Sequence, residues 1–237
     1  MAESPKYRKR ENVPAPARER YEAPRMTIRT DTRGKADTEG GLTPAQRTAV
    51  LEEEQRWRVR NSEAASIINP QGDVVRRLSQ NRSNTVSFAG VPRDELEDAV
   101  ITHNHPGTTQ RRAFGNTLAT RIGSPLSPPD LAFAARNNVA EMRAVTYSGD
   151  GGGYIYSIRR PATGWRVTDP VRLRSIIQGA EASEATTANR EYQRIARTSS
   201  TVNEYMQRSS RAELVSQWGA IQTMARILGA RITRRRF

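Results

Sequence analysis

The 237-residue sequence predicts an α/β protein that is preceded by a disordered N-terminal arm and followed by a helical region. Short apolar runs such as Val100-Ile101-Thr102 have the length and composition of buried strands. Helix-start signals occur at Pro44 and Pro128, and apolar residues recur at helical spacing beyond Pro170. Residues 1–40 are instead rich in proline, arginine and glutamate, which is typical of disorder or of an extended peptide that docks on a partner.

The first predicted helix begins after Thr43 and ends at about Arg58. Thr43 is a good N-cap because its side chain can accept a hydrogen bond from the first turn, and the proline that follows fits the first helical position. Val50, Leu51 and Trp57 are interpreted as the apolar stripe that faces the core.

Strand-like segments follow this helix, and the first two form a hairpin around the turn sequence Asn-Pro-Gln-Gly. The predicted strands are Ala64–Ile68, Val74–Leu78, Val86–Phe88 and Ala99–His103, with a short helix over Arg93–Asp98.

In the second half of the chain, Ser127 is predicted to cap a helix, and a glycine-rich tip joins two further strands. Three helices fill the C-terminal region, the last with Gly229 as its stop signal. The predicted elements are the helix Pro128–Asn137, the strands Glu141–Tyr147 and Tyr154–Ile158, and the helices Pro170–Arg197, Thr201–Arg208 and Ala212–Leu228.

The only two histidines of the chain, His103 and His105, are separated by a single residue at the end of a predicted strand. Side chains two residues apart in a strand point to the same face, so both imidazoles can reach one metal ion. Asp130, at the start of the next helix, could close a three-ligand site that leaves a fourth position for water, as catalytic zinc sites do. The alternatives are hydrogen-bonded histidines without a metal, and an aspartate that only favours the positive end of its helix.

At these residues the sequence resembles the JAB/MPN metallopeptidases, whose JAMM motif is an upstream glutamate, then H-x-H-P, then S-x-x-D. The matching text is His103-Asn104-His105-Pro106-Gly107 followed by Ser127-x-x-Asp130-Leu131, and it is most similar to the RadC-type and phage-encoded members. The resemblance covers about half of the chain, from Asn61 to Trp165. It implies a cytidine-deaminase-like mixed sheet with flanking helices.

The resemblance also implies a zinc-dependent (Zn2+) hydrolase that cleaves a peptide or isopeptide bond. The zinc would be held by His103, His105 and Asp130. Glu63 would be the catalytic acid/base outside the first coordination shell, and Ser127 would help to hold the tetrahedral oxyanion. The alternative interpretation is that Glu63 is a solvated glutamate at the start of a strand. Other glutamates, Glu52–Glu54, are also nearby in the sequence.

The segment Gly107–Ser124 is longer than the compact motif requires and contains Arg111, Arg112 and Arg121. In a hydrolase it would border the groove for a protein substrate. In a phage particle it could instead dock on a structural protein, so a virion scaffold that retains the module is the alternative function. A nuclease of the HNH type is suggested by the letters His-Asn-His, but such a site normally needs a further downstream histidine, which this chain lacks.

Arginine supplies most of the formal net charge of +13, and the chain ends in Arg234-Arg235-Arg236-Phe237. Because a guanidinium group can bind phosphate through two hydrogen bonds, these three arginines are candidates for nucleic-acid binding. The alternative is that the charge serves solubility alone.

Composition also bounds the domain organisation, which we divide into a disordered basic arm (1–40), a metal domain with its leading helix (41–165) and a helical basic extension (166–237). The absence of cysteine excludes disulfides and thiolate zinc ligands. The sequence has no apolar run long enough for a membrane span and no signal-peptide core at its start. We therefore expect no membrane partner and a cytoplasmic, or virion-associated, protein.

Overall fold

The computed structural model describes residues 42–79, 86–106, 109–113, 116–120, 123–147 and 153–237, so the predicted arm lies outside the described residues. The strands are β1 (Ala64–Ile68), β2 (Val74–Ser79), β3 (Val100–His105), β4 (Thr109–Ala113), β5 (Asn116–Thr120), β6 (Glu141–Tyr147), β7 (Gly153–Arg159) and β8 (Arg231–Arg236). The helices are α1 (Pro44–Arg58), α2 (Arg93–Leu96), α3 (Pro128–Arg136), α4 (Pro170–Thr198) and α5 (Val202–Leu228).

Six of these strands form one mixed sheet in the order β2-β1-β3-β6-β7-β8, while β4 and β5 pair only with each other. The β3–β6 pair is parallel, and the other pairs of the large sheet are antiparallel. The predicted α/β class is thereby confirmed. Apolar side chains from five strands are in register across the sheet, in the row Ile67, Ile101, Met142, Ile158 and Ile232.

The two faces of the sheet are covered by different helices, and strand β3 contributes to both. Ile101 belongs to the main core together with residues of α3, α4 and α5. Val100 packs instead with Ala49 and Val50 of α1. Because side chains alternate along a strand, every second residue from Ile101 onward faces α3. Both histidines are on that face.

The strand prediction is wrong at Val86–Phe88, and it misses β4, β5 and β8. Val86–Phe88 does not form a strand: the backbone N–H of Val86 bonds to Glu63 instead of to a neighbouring strand, and Phe88 packs on Phe133 at 4.7 Å between ring centroids. Conversely, β8 was not predicted, because an arginine-rich segment lacks the apolar alternation of a strand. It forms because β7 offers it an edge with a full ladder of partners.

The helices also differ from the sequence prediction in two places. Helix α5 runs without a break through Ser209 and Ser210, which are buried along it, so local preferences for a turn are overridden by packing. On α1, Leu51 of the predicted apolar stripe is exposed, whereas Glu53 and Glu54 are buried. Among the described residues, no helix combines the length and apolarity that a membrane crossing requires.

Glu53 and Glu54 are tolerated inside because arginines from the sheet neutralise them. Arg77 donates to both oxygens of Glu53 at 2.9 Å. Arg143 of β6 lies between two buried carboxylates, with its Nε 2.7 Å from Glu54 and its Nη1 2.5 Å from Glu141. Burial alone would lower the pKa of Arg143, but the two carboxylates hold it above its usual value, so the guanidinium stays charged.

Replacing Arg143 with methionine should therefore lower the free energy of unfolding by about 3–5 kcal/mol, because removing one partner of a buried ion pair leaves the other charge without full compensation. Urea denaturation of the two proteins measures this difference. The matched control is Arg76→Met, which breaks the half-exposed Arg76–Glu95 pair and should change stability little. Equal effects of the two substitutions would contradict the role assigned to Arg143.

Candidate metal centre

The two histidines meet at the end of β3 with their Nε2 atoms 3.0 Å apart. Their side chains lie on the same face of the strand because they are two residues apart. His103 is buried, and the side chain of His105 is 12% exposed, so the pair opens to solvent on the His105 side. The rings are nearly perpendicular, at 70°, and point their outer nitrogens at one another.

The orientation of His105 is fixed from the loop that precedes α3. Its Nδ1 lies 3.0 Å from the carbonyl oxygen of Ser124, so Nδ1 carries the proton and Nε2 presents a lone pair to the site. The loop can approach this closely because residue 123 is glycine: an added Cβ would collide with the carbonyl oxygen of His105. Burial, reinforced by His103, lowers the pKa of His105 and keeps the ring neutral, as a metal ligand must be.

His103 has a different environment. Its Nδ1 is buried and has no hydrogen-bond partner among the described residues. The ring is therefore held by packing and by its contacts through Nε2, which lies 3.0 Å from His105 and 3.8 Å from Asp130 Oδ1.

Glu63 immediately precedes β1 and is buried beside the histidines. The ligand atoms of Glu63, His103 and His105 all lie within 4.8 Å of one another, so these three residues could hold a metal ion. Burial raises the pKa of the Glu63 carboxyl and the charge of Asp130 adds to this effect, while His105 and the backbone N–H of Val86 oppose it. The net rise brings the pKa of Glu63 closer to the range in which a carboxyl group exchanges protons at neutral pH.

Asn104, which sequence reasoning did not single out, holds the backbone on both sides of Glu63. Its Oδ1 accepts a hydrogen bond from the N–H of Ala64 at 2.8 Å, and its Nδ2 donates to the carbonyl of Ser62 at 3.1 Å. Asn104 is buried on the face of β3 opposite the histidines, next to α1. The strand that supplies the two imidazoles thus also positions the glutamate.

Asp130 is held at the start of α3 by a capping box with Ser127. Its Oδ2 accepts hydrogen bonds from the N–H and the hydroxyl of Ser127, both at 2.7 Å. Its Oδ1 lies 3.8 Å from Nε2 of His103, and Oδ2 lies 3.9 Å from Nε2 of His105. Burial opposes its charge, but the two histidines and the Ser127 hydrogen bond outweigh burial and set the pKa of Asp130 well below its usual value.

The contacts of Ser127 bear on its predicted role as an oxyanion donor. The hydroxyl has one proton to donate, and it points at Asp130 Oδ2. In this arrangement Ser127 positions Asp130. Stabilising an oxyanion would require the hydroxyl to change partner.

The residues gathered here fit a zinc ion by the chemistry of their donors. Two imidazole nitrogens and carboxylate oxygens are the ligands that zinc accepts when cysteine is absent. Zn–N bonds of about 2.0–2.1 Å in a tetrahedron separate two nitrogens by about 3.3 Å, close to the 3.0 Å between the Nε2 atoms. His103, His105 and Asp130 are thus brought together, and the carboxylate of Glu63 lies within 4.8 Å of the ligand atoms of both histidines.

Five of the six arginines singled out from the sequence belong to strands β4 and β8. Arg111 and Arg112 belong to β4, and Arg121 lies outside the described residues. Of the three C-terminal arginines, all on the edge strand β8, Arg234 stacks over the ring of Tyr154 at 4.7 Å and Arg235 lies 3.5 Å from Glu54. These two therefore take part in internal contacts, and binding to nucleic acid stays a prediction.

Comparison of the chain with protein-family models, with curated proteins and with solved structures gives no match in any of the three. The resemblance to JAB/MPN metallopeptidases accordingly depends on the motif residues and their arrangement.

Proposed function

We propose that the protein is a zinc-dependent hydrolase of the JAMM type that cleaves a peptide or isopeptide bond. The observation that supports this most strongly is the convergence of Glu63 with the two histidines within 4.8 Å, beside Asp130. A purely structural role explains these side chains less well. The Nε2 atoms of His103 and His105 point at each other, and Nδ1 of His103 has no hydrogen-bond partner among the described residues.

His103, His105 and Asp130 would hold the metal. When bound, zinc supplies Lewis acidity that lowers the pKa of water and polarises a carbonyl group. The protein contributes three features: burial that lowers the pKa of His105, an Asp130 carboxylate kept ionised, and a hydrogen bond from His105 to Ser124 that keeps the ring in the ligating tautomer.

Glu63 is the proposed general base and acid. Its carboxylate would accept the proton of the attacking water and then deliver that proton to the leaving amine. Its raised pKa suits both steps, since a carboxyl group with an ordinary pKa is a weak base at neutral pH. Asn104 hydrogen-bonds to the backbone of Ser62 and Ala64, which flank Glu63, so the Glu63 carboxylate stays near the site without reorganisation.

The exposed side of the site gives a substrate its approach. The Asp130 side chain is 20% exposed and that of His105 is 12% exposed, whereas His103 is almost completely buried. A carbonyl group could therefore reach the site past His105 and Asp130.

The proposal is tested by incubating the full-length, zinc-loaded protein with denatured casein and with an isopeptide-linked protein dimer, and mapping new N-termini by mass spectrometry. We expect new termini that disappear after treatment with a zinc chelator and return when zinc is restored. The His103→Ala protein serves as the matched control and should be inactive in both states. Cleavage that survives the chelator, or that His103→Ala retains, would contradict the proposal.

A further inference from the structure

A cleft of about 420 Å³ lies between the segment Ser124–Pro129 and the helical pair α4–α5. This volume is in the range of sites that bind a small ligand or a single side chain. One wall comes from the loop before α3, and the other comes from the helices, as the facing residues Glu184, Tyr192 and Gln217 illustrate.

The cleft shares its loop wall with the candidate metal centre. Ser124, which lines the cleft, offers its carbonyl oxygen to Nδ1 of His105. Ser127, also in the lining, donates its hydroxyl proton to Asp130. The loop that forms one wall of the cleft therefore also holds His105 and Asp130 in place.

The lining combines apolar surface with carboxylates. Leu126, Pro128 and Tyr192 provide the apolar part, and Glu181, Glu184 and Glu213 provide the acidic part. Burial raises the pKa of Glu184, and the like charges of Glu213 and Glu181 raise it further. In a chain with a formal net charge of +13, an acidic cleft attracts a cation to this point of the surface.

We propose that this cleft receives an arginine or lysine side chain of the polypeptide substrate, next to the bond that is cleaved; the assignment as a substrate pocket rests on the proposed function. The aliphatic stem would lie along the apolar wall, and the cationic head would meet the glutamates. The helices beyond residue 166 thus gain a role, since they supply the half of the pocket that selects the substrate.

The test uses fluorescein-labelled tetrapeptides that carry either arginine or its neutral isostere citrulline, with binding to the full-length protein followed by fluorescence anisotropy. We expect the arginine peptide to bind at least about tenfold more tightly than the citrulline peptide, because charged hydrogen bonds to carboxylates are lost in the isostere. In the Glu184→Gln/Glu213→Gln protein the two peptides should bind within about twofold of each other. Glu191→Gln is the matched control, because Glu191 also lies on α4 but pairs with Arg194, and it should keep the preference.

Circular dichroism and the single variant Glu184→Gln guard against a folding defect, and the single variant should show an intermediate preference. No discrimination by the wild-type protein, or discrimination that survives the double substitution, overturns the pocket assignment. Zinc content is measured on the same samples. If the wild-type protein prefers the arginine peptide but takes up no zinc, the cleft is supported as a site for basic side chains and only the metal centre is contradicted. The two proposals can therefore fail separately.

Discussion

Replacement of Glu63 by glutamine should lower the turnover of zinc-loaded protein by a factor of about 10²–10⁴ while leaving the zinc content unchanged. Glutamine keeps the size and polarity of the side chain but cannot accept the proton of the attacking water. The backbone around residue 63 should stay in place, because Asn104 holds the N–H of Ala64 and the carbonyl of Ser62 rather than the carboxylate.

The measurement is the turnover of the peptide identified in the cleavage experiment, with metal content determined on the same preparation. Glu52→Gln is the matched control, since Glu52 is exposed on α1 and should be dispensable. Loss of zinc in Glu63→Gln would mean that Glu63 is itself a ligand, as its closeness to the histidines allows. Full activity would move the acid/base role to another carboxylate.

The parts of the site that could be predicted from the sequence are those set by short-range rules. The spacing of His103 and His105 places them on one face of any strand. Ser127 and Asp130 form a capping box whose residues are three apart. Each of these arrangements depends only on neighbours in the chain, so the sequence alone predicts it.

The contacts that could not be predicted join distant segments. Asn104 bonds to Ala64 across forty residues, and nothing in the letters around it distinguishes it from a surface asparagine. Glu54 would be assigned to the surface by its charge, yet it is fully buried because Arg143 and Arg235 reach it from two strands of the sheet. Strand β8 likewise forms on the edge of β7, which is a property of the assembled sheet.

The tertiary structure also changes how the C-terminal arginines are understood. From the sequence, a terminal run of arginine is most simply a patch that binds phosphate. In the folded protein, Arg235 contributes to the charge balance of α1, and Arg234 covers the ring of Tyr154. Their substitution is therefore expected to affect stability as well as any binding to nucleic acid.

The replacement His105→Ala should abolish zinc binding, because only His103 and Asp130 would remain of the proposed ligand set, and two protein ligands do not hold zinc in known structural or catalytic sites. The loss of zinc should occur without unfolding of the protein. The His105 side chain is partly exposed, and its main contact outside the metal centre is the hydrogen bond to Ser124, so the fold should tolerate alanine.

The metal centre is tested by the zinc content of the protein, purified without a histidine tag because the tag would bind zinc in addition to the two histidines of the chain. Wild-type and His105→Ala proteins are dialysed against zinc, then against metal-free buffer, and analysed by inductively coupled plasma mass spectrometry. We predict about one zinc ion per wild-type chain and less than about a tenth of that in the variant. A wild-type protein that emerges metal-free, or a variant that keeps its zinc, would contradict the metal centre and favour a scaffold that shares only the motif.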